Sequence, residues 1–210
     1  MRLKNLTMIC IITGDVKGSR RAKSANWLEG LKKLFLQFGK NPIDWEFYRG
    51  DEFQLEINNT EDALLAAFLI KAHLRKISLD ARMSIGIGDK TYKAKRISES
   101  NGSAFINSGE AFDLLKKNKT TLVLQSSDAI FNKEMNLLLR LGLSFMDNWL
   151  PQQAEFAVLA IQNPEFSQEE IGELLKINQA AVSKRRKRAN FDLLLEINSA
   201  YVEKLKMLEI

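Results

Sequence analysis

Residues 43–57 read IDWEFYRGDEFQLEI, and how this stretch divides decides the fold. Ile43 to Tyr48 reads as a strand. Glu52 to Ile57 reads as a second one, because Phe53, Leu55 and Ile57 alternate with polar residues, the period-two pattern of a strand with one buried face. Between them, Arg49-Gly50-Asp51 forms a tight turn of residue types that dominate turns.

The flanking chain extends the pattern. Leu6 to Thr13 is a near-continuous apolar strand. Ser24 to Phe38 is an amphipathic helix with Trp27, Leu31, Leu34, Phe35 and Phe38 on one side. Glu61 to Ile77 is a second helix with Ala63, Leu64, Ala67, Phe68, Ile70 and Leu74 apolar, and Ala81 to Gly88 is a strand. The order β-α-β-β-α-β is that of the ferredoxin-like split unit, which sets the first and third strands side by side and antiparallel. The expected fold class is therefore α+β, a ferredoxin-like, palm-type domain over 1–148 followed by a small all-α domain over 149–210. The boundary falls at Trp149-Leu150-Pro151, since proline is poor inside a continuing helix.

This adjacency brings Asp15, just past the first strand, beside Asp51 in the turn before the third. Two converging carboxylates with the carbonyl of Val16 suit a hard divalent cation such as Mg²⁺ or Mn²⁺. Gly18 permits close backbone approach, and Ser19-Arg20-Arg21 before the helix can hold an anion at its N-terminus. Lys90, Lys93, Lys95 and Arg96 would add positive charge to the same rim if their loop folds back. His73, the only histidine, lies mid-helix without partner ligands and reads as structural.

Near the other end, Ser167 to Ala189 reads SQEEIGELLKINQAAVSKRRKRA. Ile171, Leu174, Leu175, Ile177 and Val182 place an apolar stripe on each of two short helices broken at Lys176-Ile177-Asn178. Ser167 with Glu170 forms a capping box before the apolar run. The second helix would present Gln179, Ala180, Ser183, Lys184 and Arg185 outward, with the basic run ending at Arg188. In a major groove, Gln and Arg can pair bidentately with base edges, and the later cations can hold phosphates. The implied partner is double-stranded DNA. The final stretch, Phe191 to Leu208, is apolar at helical spacing and would pack on this pair or on a second copy in a homodimer.

Composition bounds the rest. The 210 residues are 45% hydrophobic and 27% charged, which fits one large globular domain or two small ones. The opening apolar run is too short for a bilayer. A single cysteine, Cys10, excludes a disulfide framework and points to a reducing cytoplasm. The net charge of +5 is unevenly spread: from Pro151 onward eight Lys and Arg face nine Asp and Glu, so basicity there is local and concentrated in Lys184–Arg188.

Several motifs carry a resemblance. Tyr48-Arg49-Gly50-Asp51-Glu52-Phe53 resembles the signature turn of GGDEF diguanylate cyclases. Thr13-Gly14-Asp15-Val16-Lys17-Gly18-Ser19 resembles the metal-binding strand of class III nucleotide cyclases, and Arg82-Met83-Ser84-Ile85-Gly86-Ile87-Gly88 a strand common to both. With Asn101-Gly102-Ser103-Ala104-Phe105 and Ser108-Gly109-Glu110-Ala111-Phe112-Asp113, the set is most similar to the SatD-like family of small cytoplasmic bacterial proteins, over about residues 6–125. The resemblance implies metal ligation by Asp15, Val16 and Asp51, candidate catalytic acids in Asp51 and Glu52, and nucleotide contact by Gly18, Ser19, Arg20, Arg49 and Gly50. Residues 167–189 resemble the helix-turn-helix of sigma-factor region 4, which implies DNA contact by Gln179, Ala180, Ser183, Lys184, Arg185 and Arg188.

Departures set the preference between readings. Ser108 to Lys117 holds no arginine where class III cyclases place theirs, and Arg49 replaces the first glycine of the GGDEF turn. Lys176 replaces a usual turn glycine, and Arg185 a usual core residue. Turnover suffers more from these changes than binding does. The expectation is a DNA-binding transcriptional regulator whose palm-like domain senses a nucleotide or divalent metal. The alternative is a Mg-dependent nucleotidyl cyclase or nucleotidyltransferase with the helix-turn-helix as a targeting or dimerisation module.

Overall fold

At Arg49-Gly50 the chain reverses with both residues at positive φ, 51° and 88°. The computed structural model describes residues 8–19 and 26–208. On either side of the turn lie β2 (Trp45–Tyr48) and β3 (Glu52–Ile57), paired antiparallel. A Cβ on Gly50 would meet nothing within 4 Å, so glycine is required there for conformation alone.

Five strands form one mixed sheet in the order β2-β3-β1-β4-β5, with β1 at Ile9–Lys17, β4 at Asp80–Gly88 and β5 at Leu122–Gln125. β1 runs antiparallel to both β3 and β4, as the order of elements requires, and β5 runs parallel to β4. The first strand ends later than its apolar run suggests. Hydrogen bonding continues on both edges, setting Asp15 opposite Glu52 and Arg82, so Asp15 and Val16 lie within the strand and not past it. Gly14 allows this, because a Cβ there would stand 2.4 Å from the Phe53 ring.

The two faces of β1 have different cover. Ile9 and Ile11 pack with Ile97, Ala104 and Phe105, beneath α3 (Ser103–Asn118). That helix sits close against β4: a Cβ on Gly86 would be 2.2 Å from the Ala104 carbonyl oxygen, and one on Gly88 2.3 Å from Ser103 Oγ. Cys10, Ile12 and Val16 belong to the larger core, with Trp27, Leu31 and Phe35 of α1 (Asn26–Phe35) and nearly all of α2 (Ala63–Arg75).

That same core continues without a break into the remaining helices. These are α4 (Ala129–Met146), α5 (Pro151–Gln162), α6 (Gln168–Leu175), α7 (Gln179–Arg188) and α8 (Phe191–Leu205). α5 lies along α2, and α7 and α8 close over it. Trp149, at the expected boundary, is buried as a bolt between the two parts. Its indole N–H donates to the Ala189 carbonyl at 2.9 Å, and its own carbonyl accepts from the Arg75 guanidinium at 2.7 Å. Tyr201 of α8 donates to the Thr60 carbonyl at 2.7 Å. α8 thus spends Phe191, Leu194, Ile197, Tyr201 and Leu205 within its own chain.

A second tie is ionic. The fully buried Lys71 ammonium lies 2.7 Å from Asp80 and 2.6 Å from Asp147, and donates to Thr121 Oγ1 at 3.1 Å. This joins α2, the start of β4, the approach to β5 and the end of α4. Removing one partner of such a group costs about 3–5 kcal/mol, because the remaining charges stay buried and uncompensated.

Candidate functional site

The α6–α7 pair is built as its sequence suggests. Ser167 Oγ accepts from the Glu170 N–H at 3.2 Å, and the Glu170 carboxylate accepts from the Ser167 N–H at 2.7 Å. The Ser167 N–H, with the Ser167 hydroxyl, holds the Glu170 carboxyl below its ordinary pKa. Lys176 ends α6 in the left-handed region at φ 55°, taking the conformation for which glycine is usual. Gly172 lets the helices approach, since a Cβ there would lie 2.8 Å from the Ile177 carbonyl oxygen. Asn178 Oδ1 then caps α7 by accepting from the Ala181 N–H at 2.9 Å.

On α7, Val182 faces the core and Ala189 beyond its end is buried with it, which turns Gln179, Ala180, Ser183, Lys184, Lys187 and Arg188 to solvent. The five cations divide. Arg185, expected on the outward face, is turned aside with its side chain only 19% exposed and pairs with Glu155 of α5 at 2.9 Å. Arg186 donates twice to Asp192, at 2.8 and 2.6 Å, and lies 5.4 Å from the centre of the Phe191 ring. Lys187, which motif matching did not single out, takes Arg185's place outside. Helical spacing alone signals it: position 187 follows 180 and 183 on the side opposite Val182 and Ala189. A hollow of about 250 Å³ beside α7 is lined by Gln152, Gln153, Lys184 and Arg188.

Near the end of the central strand β1, Asp15 and Asp51 are neighbours: the Val16 N–H donates to the Asp51 carbonyl at 3.1 Å. Their carboxylates are engaged. Both oxygens of Asp15 accept from Arg82 of β4, Oδ1 from Nε at 2.9 Å and Oδ2 from a terminal nitrogen. The hydrogen bonds to Asp15, with the charges of Asp15 and Asp51, hold the Arg82 guanidinium above its usual pKa despite partial burial. Asp51 Oδ2 accepts from Ser19 Oγ at 2.6 Å. Gly18 stands at φ 85°, and Arg20 lies outside the described residues. The Arg49 side chain is 82% exposed and lies 3.9 Å from the Glu52 carboxylate. Burial, with Glu52 nearby, raises the Tyr48 hydroxyl to about 12.

The loop after β4 does fold back, but to another place. Lys90 pairs with Glu56, and Arg96 with Glu46, which also accepts from Ser98 Oγ at 2.8 Å. Glu56 stands opposite Ile11, whereas Glu52 stands opposite Asp15, so Lys90 is spent farther along β3 and not at the acidic end of β1. Lys93 and Lys95 have no ion-pair partner among the described residues.

As folded, these acids do not offer a free set of oxygens to a divalent cation. Among the described residues no group of three His, Cys, Asp or Glu side chains is arranged to hold one. His73 packs against Gly30, whose Cβ would be 2.9 Å from Nε2, and burial lowers its pKa to about 4. Cys10 is a core thiol raised to about 12 by burial. No helix among the described residues is long and apolar enough to cross a membrane. No protein-family model matches this chain, and no curated protein matches it.

Proposed function

We propose that this protein is a cytoplasmic DNA-binding transcriptional regulator of the SatD-like kind. α6 and α7 act as a helix-turn-helix, and the sheet unit acts as a ferredoxin-like, palm-type domain that senses a nucleotide. The observation that carries the reading is the composition of α7's outer face, where Lys184, Lys187 and Arg188 have no acidic partner among the described residues and stand exposed around Gln179, Ala180 and Ser183. Such a convex, cationic helix suits a major groove about 12 Å wide, with Gln179 and Ser183 toward base edges and the three cations toward phosphates.

Regulation would act on α7 as a rigid attachment. Trp149 joins its C-terminal end to Arg75, and Arg75 lies 3.9 Å from Asp80 at the start of the strand that carries Arg82. The enzyme reading is set second because a metal-dependent cyclase would need the Asp15 oxygens that Arg82 holds.

The test is fluorescence anisotropy with duplexes enriched by the protein from a random pool, read as a function of salt. The Lys184→Ala/Lys187→Ala variant should bind more weakly to all sequences, with a log–log salt slope shallower by about 2, near 0.9 per phosphate lost. Unchanged affinity and slope would remove α7 as the DNA-facing element.

A further inference from the structure

The acidic end of β1 already contains a cation. We infer that the Arg82 guanidinium is the resident counter-charge of Asp15 and Asp51, and that a divalent ion can bind there only by displacing it. Asp15 is one of the few acids enclosed by the fold, with its side chain 9% exposed, and it places both oxygens against Arg82. The pairing is planar and two-pronged, a geometry that an ammonium or a hydrated ion does not reproduce. It is also dictated by register: Asp15 and Arg82 are directly opposed in the β1–β4 ladder, so side chains of the right length meet on one face without any loop having to order.

Asp51 completes the arrangement. Its main chain is fixed to β1 through the Val16 N–H, and its Oδ2 is held by Ser19, which leaves one carboxylate oxygen, Oδ1, without a donor among the described residues. One oxygen is too few for a hard cation, which takes about six or more oxygens in all and binds firmly when several are carboxylate. The guanidinium, 32% exposed, is the one group in the pair that can swing away into solvent. Arg82 therefore decides whether this end of β1 is a closed ion pair or an open metal site. This inference concerns the sheet unit alone and is read without DNA, so it stands or falls separately from the role given to α7.

The experiment titrates the full chain with Mn²⁺ and follows free ion by electron paramagnetic resonance, with thermal unfolding in parallel. The parent should show no saturable site below about 1 mM. Arg82→Met should gain one site at least about tenfold tighter than any binding by the parent, and should rise in melting temperature with Mn²⁺. Adding Asp15→Asn to it should abolish both effects. Arg82→Gln, which keeps one amide donor toward Asp15, is carried alongside for a fold that tolerates it better, with the same expectation. Tight, stoichiometric Mn²⁺ binding by the parent would overturn the inference, as would two folded Arg82 variants that gain no site.

Discussion

The outer face of α7 and the end of β1 are both rich in charge, yet they differ in how that charge is spent. On α7, two of five consecutive cations turn back to acids of α5 and α8, and Lys184, Lys187 and Arg188 remain in water. At the end of β1, Asp15 meets Arg82, Asp51 meets Ser19, and farther along the same sheet Glu46 and Glu56 meet Arg96 and Lys90. The first region presents an unbalanced field to a partner. In the second the acids are already engaged, so any ligand there must exchange with a side chain already in place. Residue type and spacing suggest a site in both; pairing is what separates them.

The sharpest break of this comparison is at the joint between the regions. Trp149→Ala removes a buried indole and its bond to Ala189, and should destabilise the protein by about 3–5 kcal/mol in urea unfolding. A loss below about 1 kcal/mol would mean that α7 is not held through this residue. Next, a cation inside the sheet unit should matter to the fold, whereas one on α7 should matter only to binding. Lys71→Met should cost about 3 kcal/mol, toward the lower end of the buried-pair range because Asp147 is partly exposed. Lys184→Ala should stay within about 0.5 kcal/mol of the parent. Equal melting temperatures for the two variants would erase the distinction.

Smaller effects sharpen the picture of α7 itself. Asn178→Ala deletes its cap and should cost about 1 kcal/mol, seen as a lower urea midpoint at unchanged slope. Arg185→Ala is the finest test. It breaks a partly exposed pair with Glu155, so stability should fall by about 0.2–1 kcal/mol. DNA affinity should hold nearly steady, while Lys187→Ala weakens it; the reverse ranking would return Arg185 to the DNA-facing surface.

Much of the local architecture was readable from the chain. The β3 limits, the Ser167–Glu170 capping box and the break at Lys176–Asn178 depend on neighbours within a few residues, and they stand where alternation and turn chemistry put them. The side-by-side placement of β1 and β3 was also legible, because connection rules leave few arrangements for that order of elements. β5 was not: four residues between two helices are too short for a pattern, and only pairing with β4 makes them a strand. The inward turn of Arg185 was hidden for a related reason, since Glu155 lies thirty residues earlier on another helix.

Alternation, helical spacing and capping are properties of adjacent residues, and they are enough to assign the mixed helix-and-strand character of this protein, its β2–β3 turn and the helix that carries the basic run of α7. Which charges survive unpaired is another matter. Arg82 reaches Asp15, Arg75 reaches Trp149 and Lys71 reaches Asp147 only after distant segments are stacked on one sheet and one core. Electrostatic pairing depends on distance in space and on exclusion of water, and neither quantity is written in the order of residues along the chain.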